Sequence, residues 1–163
     1  NGIAKTAVSA IVKEIDVAQG LFYYYFSSKD DVIDEIAKRY NQDFKQGIEK
    51  SLKEEDLDKQ INSFVESVAT SFKDFWDKFQ TNDSTKDIVQ LTSKSIEEFK
   101  NLASEELTNI INKGNEDEKL DIKSPEYYAK IIVGGISDLV EQGMNDVEKM
   151  KDIVNELLKK ENK

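Results

Sequence analysis

The chain has 163 residues, 38% apolar and 34% charged, a balance that supports a packed core and argues against disorder. It contains no Cys and no His, which removes disulfides, thiolate chemistry and Ser-His or Cys-His catalysis, so neither enzyme activity nor a cofactor or metal site is expected. The net charge is −10, but residues 1–29 hold three lysines against two carboxylates, and the remainder of the chain carries the whole acidic excess. A near-neutral head on an acidic body is compatible with DNA binding if the body faces away from the phosphates.

A single Pro and seven Gly among abundant Lys, Glu, Asp, Ile and Leu predict an all-α protein. No apolar run approaches the roughly 18 residues that a membrane span needs, so a cytoplasmic protein without a membrane partner is expected. In chain order, Thr6 is the expected N-cap of a helix over Ala7–Ile15, with Val8, Ile11, Val12 and Ile15 on one face. A tight break at Asp16 to Gln19 precedes a short helix over Gln19–Tyr25. Ser28 is the expected cap of a third, long helix, with Asp30 and Asp31 in its first turn, and the acidic run Glu54-Glu55-Asp56 ends it. A fourth helix spans about 57–80, and Thr81 to Ser84 is a loop. Periodicity resumes at Lys86 with a bend expected at 92–95, and Gly114 is read as the stop before a polar loop that runs to Lys123. Ser124 and Pro125 open a helix that reaches about Gly143, and a last helix covers Val147–Lys159. These elements make a small head, then a bundle.

Two helices joined by a four-residue break suit a helix-turn-helix. In the second helix, Leu21, Phe22 and Phe26 are expected to lean inward. Three consecutive tyrosines, Tyr23, Tyr24 and Tyr25, lie about 100° apart around the axis, so they cannot all be core. Tyr hydroxyls and the Gln19 amide are groups that reach phosphates and base edges.

These residues resemble the tetracycline-repressor (TetR) family of regulators. The likeness rests on Thr6, Ile11-Val12, Asp16-Val17-Ala18, Gly20-Leu21-Phe22-Tyr23-Tyr24-Tyr25-Phe26 and Ser28-Lys29-Asp30, and runs without a gap over about residues 6–40. It implies a DNA-binding domain over 1–40 and a helical effector-binding and dimerisation domain over 41–163. It further implies that Thr6, Ala18, Gln19, Leu21, Tyr23, Tyr24, Tyr25 and Lys29 line the DNA, with Tyr25 and Lys29 on phosphates. Asp16 stands where the family has Gly in the turn, so a left-handed backbone is expected there. The family's first helix has no counterpart ahead of Thr6, and a missing segment is expected.

By the same resemblance, an apolar pocket for a small aromatic or apolar effector is expected among Phe64, Val68, Phe72, Phe75, Trp76, Phe79, Leu91, Phe99, Tyr128 and Ile131. Ordinary core packing is the other reading of this stripe. Gly134 and Gly135 weaken an apolar helix, which close helix–helix approach would repay. The resemblance implies that they form, with Leu139, Ile153 and Leu157, a homodimer interface on the last two helices. The resulting reading is a homodimeric repressor of double-stranded operator DNA, released by a small-molecule effector. The other reading is a helical small-molecule or protein-interaction module with no DNA role, which the acidic charge would suit.

Overall fold

The computed structural model describes residues 6–51, 53–79 and 86–159, which form seven α-helices and no strand. They are α1 (Val8–Glu14), α2 (Gln19–Tyr25), α3 (Lys29–Ser51), α4 (Leu57–Phe79), α5 (Lys86–Glu116), α6 (Pro125–Glu141) and α7 (Val147–Leu158). The predicted loop at Thr81 to Ser84 lies outside the described residues, as do residues 1–5.

α4 is the central helix of the body and packs on α3, α5, α6 and α7. Its stripe Ile61, Phe64, Val65, Val68, Phe72 and Phe75 is almost wholly buried, and each such side chain contributes roughly 1.5–3 kcal/mol by leaving water. Phe99, Leu107, Ile110 and Ile111 of α5 complete this core with Ala129, Val133 and Ile136 of α6 and Met150, Val154 and Leu158 of α7. Gly47 lets α3 approach α4 closely, since a Cβ there would stand 2.7 Å from the Ser67 hydroxyl. A hydrogen bond of 2.7 Å from Asn155 to Asn62 and an ion pair of 2.8 Å from Lys151 to Glu66 tie α7 to α4.

Helix ends depart from expectation in three places. α1 begins one residue later than predicted, with Ala7 rather than Thr6 at the N-cap, so no side chain caps it. Ser124 does sit at the N-cap of α6, yet its hydroxyl makes no capping bond; its carbonyl accepts from the backbone of Tyr127 and Tyr128 instead. α5 continues without a break through residues 92–95 and past Gly114 to Glu116, so the glycine stop is not present.

Gly114 serves packing: a Cβ there would stand 2.6 Å from Leu120 Cδ1 and 3.1 Å from Leu57 Cδ2. The stop lies at Glu118, whose φ is +58°, with Lys119 N–H donating to the Gly114 carbonyl and Glu118 N–H to that of Asn115. The same pair of bonds closes α1, with φ +53° at Asp16, and α6, with φ +90° at Gly143. All three are Schellman motifs, in which a left-handed residue just past the helix satisfies two terminal carbonyls. Asn115 then pins the following loop by exchanging two hydrogen bonds with the backbone of Ile122, at 2.9 and 3.0 Å.

Candidate nucleic-acid interface

Among the described residues of the head, Val12, Phe22 and Ile33, one from each of α1, α2 and α3, are its buried hydrophobic residues, while Val8, Ile11 and Phe26 are half-buried. The Schellman closure at Asp16 fixes the turn between α1 and α2: Val17 N–H donates to the Val12 carbonyl at 2.9 Å and Asp16 N–H to that of Lys13 at 3.3 Å. The left-handed backbone expected at Asp16 is thus present, at a residue whose short polar side chain tolerates it.

The start of α3 is fixed by a reciprocal cap. The Ser28 hydroxyl accepts the Asp31 N–H at 3.2 Å, and the Asp31 carboxylate accepts the Ser27 N–H at 2.8 Å and the Ser28 hydroxyl at 3.0 Å. The Ser27 backbone bond above all, then the Ser28 hydroxyl, hold the Asp31 carboxyl below its ordinary pKa. This box sets Lys29 in the first turn of α3, half-buried.

On α2, Phe22 is 6% exposed, whereas Tyr23, Tyr24 and Tyr25 are 54%, 79% and 68% exposed. The phenols are braced against each other and against the head: Tyr23 meets Phe22 edge-on at 5.4 Å between ring centroids, and Tyr24 meets Tyr25 edge-on at 5.0 Å. Edge-to-face pairs of this kind limit rotamer freedom without burying the hydroxyls. Leu21 is a correction: the sequence suggested an inward lean, but it is exposed, because Phe22 alone occupies the inner face of so short a helix. Ala18 and Gln19 are exposed beside it, and Thr6 is half-buried at the entry to α1. The residues expected to line DNA therefore lie on the head, most of them on the open face of α2.

The residues expected to form an effector pocket divide in two. Phe64, Val68, Phe72, Phe75 and Phe99 are fully buried, and Trp76 is partly buried against them. Their rings interlock: Phe44 of α3 stacks on Phe99 at 4.8 Å, and Phe75 meets Phe99 edge-on at 5.4 Å. Tyr128 and Ile131 stand on the outer side of α6, where Ile131 is 71% exposed, and do not join that cluster. The side chains of Phe79 and Leu91 lie outside the described residues.

Of the expected interface, Gly135, Ile153 and Leu157 are exposed, Gly134 is half-buried, and Leu139 is half-buried against the core. Among the described residues, no neighbouring element comes within 4 Å of where a Cβ would stand at Gly134 or Gly135. Two features had no sequence signal. Asn41 of α3 donates to Glu98 of α5 at 2.8 Å, and a cleft of about 550 Å³ opens at the N-terminal end of α4, floored by Leu57, Ile61, Leu120 and Leu158. Both depend on tertiary placement.

Residues 1–36 match the family model described as bacterial regulatory proteins, tetR family. No curated protein matches the chain in sequence. Among solved structures, the TetR-family transcriptional regulator PfmR from Thermus thermophilus superposes with a TM-score of 0.70 at 18% identity, covering 99% of this chain and 92% of that one. A transcriptional regulator from Cytophaga hutchinsonii gives a TM-score of 0.74 at 18% identity, over 96% and 86% of the two chains. FadR from Bacillus subtilis, solved in complex with stearoyl-CoA, gives 0.66 at 18% identity over 96% and 89%. At such identities the structures speak for the fold alone, and the family match speaks for the head. The head thus matches the tetR family of bacterial regulatory proteins in sequence, and the described chain shares the fold of these transcriptional regulators.

Proposed function

We propose that this chain is a DNA-binding transcriptional regulator that acts as a homodimeric repressor whose operator affinity is lowered by a small apolar or aromatic effector. The observation that carries the reading is the contrast on α2, where three consecutive phenols are exposed beside the single buried Phe22. Leaving three tyrosines in water forgoes their burial energy, and contact with a polar, wet surface such as DNA gives their hydroxyls partners. In this reading each α2 enters a major groove, with Thr6, Ala18, Gln19, Leu21, Tyr23, Tyr24, Tyr25 and Lys29 around it. The two heads then address half-sites about 34–36 Å apart.

Dimerisation is supported by α6 and α7. Gly134 and Gly135 cost helix propensity, and no contact among the described residues repays it, so a second copy lying against this face is the partner that would. Ile131 on α6 and Ile153 and Leu157 on α7 are further exposed apolar side chains. Effector response is supported by the aromatic cluster, since Phe44 belongs to the helix that carries the head and Phe72, Phe75 and Phe99 to the body.

The test is fluorescence anisotropy with full-length protein and DNA from upstream of its own gene, at one fixed low salt concentration. Tyr23→Ala and Lys29→Ala are each expected to weaken binding by roughly 5- to 30-fold with the sedimentation profile unchanged. If neither substitution moves the affinity, α2 is not the reading helix. If the wild-type protein binds no DNA, the repressor reading falls as a whole.

A further inference from the structure

The cleft at the N-terminal end of α4 has a volume of about 550 Å³, within the range of small-molecule sites, and its lining combines apolar groups with charges of both signs. Above the floor of Leu57, Ile61, Leu120 and Leu158, Asp56 and Asp58 contribute two carboxylates, and Lys119 and Lys159 two ammonium groups. All four are exposed, and none is in an ion pair among the described residues. The frame that carries them is fixed. Asp56 caps α4 by accepting the Lys59 N–H at 3.0 Å, and the Lys119 N–H donates to the Gly114 carbonyl at 2.9 Å. The bond from Asn155 to Asn62 joins the walls that α7 and α4 supply. α3 carries the chain about 33 Å from Lys29 before α4 begins, so the cleft lies at the end of the body away from the head. It shares no lining residue with the ring cluster of Phe44, Phe75 and Phe99.

We propose that this cleft binds a small zwitterion with an apolar body, an apolar amino acid or its dipeptide, with the ligand carboxylate at Lys119 and Lys159 and its ammonium at Asp56 and Asp58. The lining charges balance, two against two. A ligand with one charge leaves one pair unmatched, whereas a zwitterion meets both signs. An ammonium can only donate and a carboxylate can only accept, so each end of the ligand has one place to go. A wholly apolar ligand would take water from four charged groups and return no hydrogen bond. The leucine and isoleucine floor supplies the surface on which an aliphatic or aromatic side chain leaves water. The site goes beyond the repressor reading and stands or falls without reference to how α2 meets DNA.

The side-chain amides of Asn62 and Asn155 line the cleft, so their resonances in the ¹⁵N-labelled full chain report on its occupancy. The protein is titrated at low salt with leucine, leucyl-leucine, N-acetyl-leucyl-leucine, which lacks the ammonium, and leucyl-leucinamide, which lacks the carboxylate. Leucine or leucyl-leucine is expected to move both resonances, and the tighter of the two identifies the free amino acid or the dipeptide as the source. Capping either end of the dipeptide is expected to weaken binding about three- to fivefold, the range of an exposed ion pair. The double variant Lys119→Gln, Lys159→Gln is expected to bring leucyl-leucine down to the affinity of leucyl-leucinamide while leaving the latter unchanged. Asp56→Asn with Asp58→Asn does the converse with the acetylated dipeptide, and asparagine at 56 keeps the cap of α4. Asn62 and Asn155 resonances that neither free ligand moves, capped dipeptides as tight as the free one, or variants that bind leucyl-leucine as the wild type does overturn the proposal.

Discussion

Asp16 and Glu118 hold left-handed backbone at the ends of α1 and α5, a conformation that costs an L-residue roughly 1–2 kcal/mol and glycine nothing. Glycine's greater freedom in the unfolded chain returns part of that difference. Asp16→Gly and Glu118→Gly are therefore each expected to stabilise by about 0.5–1 kcal/mol, and Gly143→Ala to destabilise by about 1 kcal/mol. Thermal unfolding reads this at about 2–4 °C per kcal/mol for a chain of this size. Asp16 was legible because the resemblance placed a turn glycine at its position. Glu118 was not: glutamate carries no turn signal, and Gly114 drew the boundary four residues too early. The Gly114 side of that error is also testable, since Gly114→Ala drives a methyl into Leu120 and is expected to cost about 1–3 kcal/mol.

Among the elements, the entry to α3 is the joint between head and body, and its cap is a specific one. Removing the hydroxyl in Ser28→Ala is expected to cost about 1 kcal/mol and to raise amide exchange over residues 28–32. The Asp31 carboxyl adds a pH dependence whose sign is set by its lowered pKa in the folded state. Its contribution is present above the unfolded carboxylate value near 3.8, and it is lost as the pH falls through the lower folded value. The Ser27 amide resonance is expected to follow that titration in the wild-type protein and to lose it in Asp31→Asn. The seven helices themselves were largely readable from apolar spacing, because long amphipathic segments with so few breakers leave little choice. Which buried rings face which was not readable, since periodicity assigns a face and tertiary packing assigns the neighbour. Phe44 against Phe99, and Ile131 pointing away, are the two cases that mattered.

For the whole molecule, the charge map limits how operator binding can respond to salt. A dimer offers about six lysines from its two N-terminal segments, so the slope of log K against log salt is expected to be no steeper than about −5. A slope near −10 would place phosphate contacts on the body, against its acidic excess. The exposed face of α6 and α7 is tested by Leu157→Glu, which is expected to yield a folded monomer by sedimentation, with operator affinity reduced more than tenfold through lost bivalency. The extensive packing of α1 and α2 among the described residues is on each other, and α3 runs on from the head without a break to the ring cluster. From Phe44, seated in that cluster, back to Lys29 is fifteen residues, an arm of about 22 Å. Tilting the arm by about 5° at its seat swings the head by about 2 Å, so two heads moving oppositely change their separation by about 4 Å. That exceeds the 3.4 Å step of one base pair. In the proposed dimer the helix would act as a gear: a displacement at Phe44 too small to open the core would be magnified at the DNA into the loss of a register.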